Sequence, residues 1–180
     1  MSVLAGPFAI AAALLVIGGA AKAVRPRDTA QALTAVGIRL PRFLSARLLV
    51  RLGGAFEVLV GVGALVTGGA AFAALVAVSY FVFTGFVVVA LRSGKPISSC
   101  GCFGKVDTPP SPVHVVLDLA FAAIAVAAAI VGDVALPDVL ADQPLVGIPF
   151  VVLLAIALYL VFLAFTALPK TMAVVREVAA

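Results

Sequence analysis

The sequence predicts an all-α fold: an integral membrane helical bundle of about five transmembrane helices, with the N-terminus outside and the C-terminus cytoplasmic. Composition points there first. Of 180 residues, 64% are hydrophobic and 11% charged, and the mean hydropathy is +1.30; a soluble domain is about half apolar and about a quarter charged. Run length points the same way, because apolar stretches of about 20 residues match a helix crossing a hydrocarbon core about 30 Å thick. Charge placement completes the case. The twelve Lys and Arg flank the apolar runs, where they set topology and meet lipid headgroups. The net charge of +4 is therefore no sign of nucleic-acid binding.

One domain, residues 1–180, is expected, with spans at about 3–23, 48–67, 70–91, 113–131 and 146–168. The first span lacks a basic segment before it and is followed by Lys22, Arg25 and Arg27, so it reads as a retained helix and not a cleaved signal peptide. It ends in Gly18-Gly19-Ala20-Ala21-Lys22, and small residues let helix backbones approach closely in lipid. In the basic segment that follows, Asp28-Thr29-Ala30-Gln31 has the spacing of a capping box, with Asp28 as N-cap. Leu33 and Val36 share a face and Gly37 is placed to end the helix, which predicts a short interfacial helix. The second span carries Glu57 near its middle. Gly68-Gly69 separates it from the third, so the two form a tight hairpin in which Ser79 and Tyr80 lie level with Glu57. A carboxylate at that depth is costly unless paired or protonated. Its bland reading is a neutral carboxyl hydrogen-bonded to Ser79 or Tyr80, and its functional reading is a proton relay or a contact for a quinone headgroup, with Tyr80 beside it. The basic residues from Lys22 to Arg47 read as topology and headgroup residues.

A polar loop, residues 92–112, then holds both cysteines of the chain. Ser111 followed by Pro112 marks the start of the fourth span. The loop after that span has Asp133, Asp138 and Asp142 and no Lys or Arg, and Pro149 falls near the start of the fifth span. With five spans, all twelve basic residues fall on one side. The positive-inside rule makes that side, and the cysteine loop, cytoplasmic, in a multi-pass protein of the cell inner membrane. No internal repeat stands out.

Cys100 and Cys102 are separated only by Gly101. A disulfide between cysteines this close is a small strained ring, and strain raises its reduction potential. The ring also closes too short a loop to gain much from chain entropy. Such a pair suits thiol exchange better than stapling. Without a third cysteine, electrons must pass to a partner protein, a small thiol or a quinone. The bland reading is two inert thiols. A metal site of Cys100, Cys102, His114 and Asp107 is disfavoured, because structural zinc sites usually space paired cysteines by two to four residues. No metal is therefore assigned.

The Arg92-Ser93-Gly94 segment followed by Cys100-Gly101-Cys102-Phe103-Gly104 resembles the methylamine utilisation protein MauE family, within the wider DoxX-like membrane proteins. The first span ending in Gly18-Gly19-Ala20-Ala21-Lys22, the basic loop and a second span with Glu57 are similar too. The resemblance covers roughly residues 10–130. It implies a multi-span bundle associated with thioredoxin-like partners and with disulfide formation in exported proteins. It carries over to Cys100, Gly101, Cys102, Phe103 and Gly104, and to Lys22 and Glu57. The family often has an arginine before the position matched by Asp118, where this chain has Leu117. The methylamine system matures a periplasmic enzyme, whereas the charge count puts this loop inside. Either the protein receives cytoplasmic electrons, or the loop folds into the membrane and is reached from elsewhere.

His114 and Asp118 are four residues apart and so share a helix face. Asp118 is placed to orient the imidazole, and His114 to take a proton from a thiol. The equally ordinary reading is an interfacial His and an aspartate satisfied by a neighbouring helix. The sequence therefore reads as a membrane thiol-disulfide redox component, a candidate thiol-disulfide oxidoreductase acting through Cys100 and Cys102 with His114 and Asp118. Its expected partners are membrane lipid and a thioredoxin-like protein or other membrane subunits. Two alternatives stay open: a non-catalytic subunit of a membrane complex, for instance a respiratory one, and a metal-binding membrane protein.

Overall fold

A computed structural model describes residues 3–37, 45–93, 109–132, 135–142 and 144–172. Every regular element among them is an α-helix: α1 (Ala5–Val24), α2 (Pro26–Val36), α3 (Ala46–Thr67), α4 (Ala70–Arg92), α5 (Pro112–Val131), α6 (Leu136–Asp142) and α7 (Pro144–Thr166). Five of these helices are long and apolar enough to cross a membrane, so the all-α bundle is the observed class.

The helix ends follow local chemistry. Gly37 closes α2 at φ 94° and Gly68 closes α3 at φ 59°, both left-handed conformations that cost glycine little. Gly69 then turns extended and α4 begins, which makes the tight hairpin. Ser45 caps α3 by accepting from the Leu48 amide at 3.2 Å. Ser111 is the N-cap residue of α5, with Pro112 at its first position. Two expectations need correction. Helix α2 starts at Pro26, with Arg25 and not Asp28 at its N-cap, because the fixed φ of proline already suits the first helical position. Asp28 instead lies in the first turn, where its charge faces the positive end of the helix dipole. The segment expected to be an acidic loop contains α6, with Pro137 near its start, where the missing amide proton costs nothing.

Helix α1 packs most extensively on α3, and α4 on α5; both contacts exceed that of the α3–α4 hairpin. Small residues explain it. Lipid is as apolar as leucine, so helices associate through close van der Waals packing rather than a hydrophobic drive. Ala73 and Ala77 of α4 and Ala122, Ala125 and Ala128 of α5 are buried in one cluster with Phe8, Leu15, Val76 and Phe165. Large apolar residues such as Leu59, Phe81, Val82 and Leu160 remain exposed and face the surroundings. Hydroxyls of Thr67, Ser79, Thr84 and Thr166 donate to carbonyls four residues back, so no partner outside their own helix is needed. Helix α2 lies across the arginine-bearing end of the bundle. Its Ala32 and Val36 pack against Ala90 and Phe86 of α4.

Candidate functional site

The site begins with two glycines. A Cβ placed on Gly54 would lie 2.6 Å from the Gly19 carbonyl oxygen, 2.8 Å from the Ala23 nitrogen and 2.9 Å from the Lys22 Cβ. A Cβ on Gly19 would lie 2.6 Å from the Gly54 oxygen and 2.8 Å from the Glu57 Cβ. The backbones of α1 and α3 therefore touch, as small residues allow. The contact is reciprocal. The Lys22 stem lies over the glycine of α3, and the Glu57 stem over the glycine of α1. That crossing brings two opposite charges together.

The Lys22 Nζ donates to both oxygens of Glu57, at 2.7 Å to Oε1 and 2.5 Å to Oε2. The Lys22 residue is 7% exposed and the Glu57 side chain 13%. The ammonium also lies 4.0 Å from the Phe83 ring centroid, a cation–π contact that strengthens when water is excluded. Isolated charges at such a place would cost several kcal/mol each; the two-pronged geometry offsets that cost.

This pairing corrects the expected environment of both residues. Glu57 bonds to neither Ser79 nor Tyr80. The Tyr80 hydroxyl donates to the Ala11 carbonyl at 2.8 Å, and the Ser79 hydroxyl to the Leu75 carbonyl at 2.9 Å. Tyr80 thus ties α4 to α1. Lys22 is not a headgroup residue but an interior partner, because the glycine crossing carries its stem inward. By contrast, Arg25, Arg27, Arg47 and Arg51 do line an open cleft of about 600 Å³ at the end of the bundle.

Two further spaces adjoin the pair. Lys22, Glu57, Tyr80 and Asp118 line one narrow gap of about 20 Å³, room for one water by volume. Asp118, 2% exposed, thereby shares an interior space with the ion pair. A larger cavity of about 210 Å³ lies among α1, α2, α3 and α4, with Lys22, Glu57, Gly53, Leu33, Phe83 and Phe86 in its walls. Tyr80 lines only the smaller space.

At the start of α5, His114 is fully buried. Its Nδ1 shares a 2.9 Å hydrogen bond with the Ser111 hydroxyl. The N-cap side chain thus serves the imidazole and makes no cap bond. The ring packs 5.7 Å from that of Phe165, which stacks on Phe121 at 6.3 Å. Ser111, read from the sequence only as a helix-start residue, is therefore an orienting partner of His114. Its signal was the spacing Ser111-Pro112-Val113-His114, which puts the N-cap side chain over the third helical residue. Lys22 with Glu57 was also legible as two copies of a pattern: glycine, then a charged residue three positions on, with opposite signs in the two helices.

Cys100, Cys102 and Asp107 lie outside the described residues, as does the segment 94–108 that joins α4 to α5. Among the described residues, no group of three or more His, Cys, Asp or Glu is placed to hold a metal.

The family model described as methylamine utilisation protein MauE matches residues 1–132, which covers α1 to α5. No curated protein and no solved structure matches the chain.

Proposed function

Because the chain belongs to the methylamine utilisation protein MauE family, we propose that it is a membrane accessory component of that system, working as a thiol-disulfide redox protein through Cys100 and Cys102. The Cys-Gly-Cys-Phe-Gly sequence carries the reading. It supplies two thiols at a spacing suited to exchange, in the segment between α4 and α5. The helix that follows begins with a buried histidine held by Ser111, a group of the type that takes a thiol proton. The wider DoxX-like placement belongs to the same proposal and rests on the motifs of the first span and the cysteine loop.

In the exchange, one thiolate attacks a disulfide of a thioredoxin-like partner and forms a mixed disulfide. The second cysteine then attacks that bond. The chain ends as the disulfide and the partner as the dithiol, with two electrons and two protons transferred; the reverse sequence reduces the chain. Cys100→Ser and Cys102→Ser, each expressed alone, are the test. One of the two is expected to accumulate a covalent partner that thiol reductant releases and that mass spectrometry identifies. If neither traps a partner and neither impairs methylamine-dependent growth, the reading fails.

We also propose that the arginine-bearing end, the cysteine segment and the C-terminus face the cytoplasm of a cell bounded by an inner membrane. All twelve basic residues lie on that side of a five-span topology, as the positive-inside rule requires. A membrane-impermeant maleimide is expected to label Cys100 and Cys102 only after the cells are opened. Labelling of intact cells would reverse the orientation.

A further inference from the structure

We propose that the cavity of about 210 Å³ beside the Lys22–Glu57 pair binds the headgroup of a membrane quinone, the electron acceptor for the Cys100–Cys102 dithiol. Pockets that enclose a whole drug-sized ligand measure about 300–1,000 Å³. This one therefore suits a single substituted ring whose tail stays in the bilayer. Its walls are mostly apolar, and Phe83 and Phe86 supply two aromatic rings able to pack against a flat ligand. At one side stands a fixed cation beside a fixed anion. Lys22 has three N–H donors and two acceptor oxygens opposite it on Glu57, so the ammonium can also donate to a quinone carbonyl. Glu57 can accept from the hydroxyl of the quinol. A neutral ring that alternates between carbonyl and hydroxyl fits such a pair, whereas a phospholipid phosphate would meet the Glu57 carboxylate.

Chain connectivity relates the cavity to the thiols. Helix α4 ends at Arg92, six residues after Phe86, and the cysteine segment follows in sequence; six residues are roughly 9 Å along a helix. Helix α2 packs over the same stretch through Ala32 and Val36 against Ala90 and Phe86. The reaction balances without a further reagent. Two S–H bonds break and one S–S bond forms. The two electrons and two protons reduce the quinone, which gains two O–H bonds. The inference rests on the thiol reading for the source of electrons, and on the cavity alone for binding.

The test uses the full chain in lipid nanodiscs and an azido-benzoquinone with a short alkyl tail. After illumination, the label is expected on peptides spanning 49–57 and 82–86, and excess unlabelled short-tail quinone should remove it. Gly53 provides a filling variant, because a Cβ there meets nothing within 4 Å while the residue lines the cavity. Gly53→Leu is expected to lower the labelling at least tenfold with helicity and elution volume unchanged. Gly85→Leu, also at an open position but outside the cavity walls, is expected to leave labelling intact. Label spread over α7, label insensitive to Gly53→Leu, or displacement by anionic phospholipid but not by quinone would overturn the site. The Cys100→Ser, Cys102→Ser double variant should label normally. Mapped labelling in a protein whose thiols do not toggle keeps this site and removes only the thiol reading. Toggling thiols without mapped label removes this site alone.

Discussion

Lys22→Met is expected to destabilise the folded bundle by about 3–5 kcal/mol, the cost of leaving one partner of a buried ion pair alone. The Glu57 carboxylate would then sit between α1 and α3 with its charge unbalanced, in a mostly apolar space whose walls include Phe83. Adding Glu57→Gln to that variant should restore most of the loss, because removing both charges also removes both desolvation costs. The contrast between single and double variants separates a charge effect from a volume effect. Circular dichroism during heating in a mild detergent reads it as a drop of the midpoint on the order of 10 °C, reversed in the double variant. Equal stability of wild type and Lys22→Met would mean that the pair does not hold the helices.

Gly54→Leu is the second large effect, and its cause is steric. The first atom added already lies 2.6–2.9 Å from backbone and Cβ atoms of α1, none of them the movable end of a side chain. The helices must separate, and with them Lys22 and Glu57. Overpacking typically costs about 1–3 kcal/mol and more when the surroundings cannot yield; here the upper end is expected, with loss of the monodisperse folded fraction on size-exclusion chromatography. Gly53→Leu, one residue away, should elute and melt like the wild type. Gly61→Leu should resemble Gly54→Leu, since its Cβ would meet Val16 at 2.6 Å and the Ala12 oxygen at 2.8 Å. If both neighbours at 53 and 54 tolerate leucine, the close crossing of α1 and α3 is not what organises this end of the bundle.

The bundle was legible because its causes are local. Run length, the paired glycines at Gly68-Gly69 and the Ser111-Pro112 start are each readable over a few residues, and the helices begin and end where those signals stand. The start of α2 was misplaced because two start signals compete within three residues, Pro26 and Asp28, and the one that fixes φ prevails. The environment of Glu57 was misread for a different reason. Hairpin symmetry gave its depth and so pointed to Ser79 and Tyr80, but depth does not fix which face of α3 meets which helix. Packing does, and the glycine faces turn Glu57 toward α1. The same crossing converts Lys22 from a terminal basic residue into an interior one. Burial of His114 was hidden because a hydropathy pattern does not say whether a residue in the first turn of α5 faces the bundle or its surroundings; the contacts with Ser111 and Phe165 show the former. For Cys100 and Cys102 the sequence alone speaks, through their spacing and the glycines at 101 and 104.

The cavity lies where α2, the start of α3 and the last turns of α4 come together. The glycine crossing sets the Lys22–Glu57 pair, the pair edges a cavity, and α4 runs from that cavity toward the cysteine segment. The most direct measurement is the redox state of the two thiols in the native membrane. Membranes would be quenched with acid, alkylated with N-ethylmaleimide, and the intact chain weighed after treatment with reductant, with oxidant, and with neither. A dithiol-disulfide couple predicts two adducts after reductant, none after oxidant, and a mixture that moves with methylamine supply in untreated cells. Two adducts under every condition would mean that the thiols never bond, and would contradict the redox function.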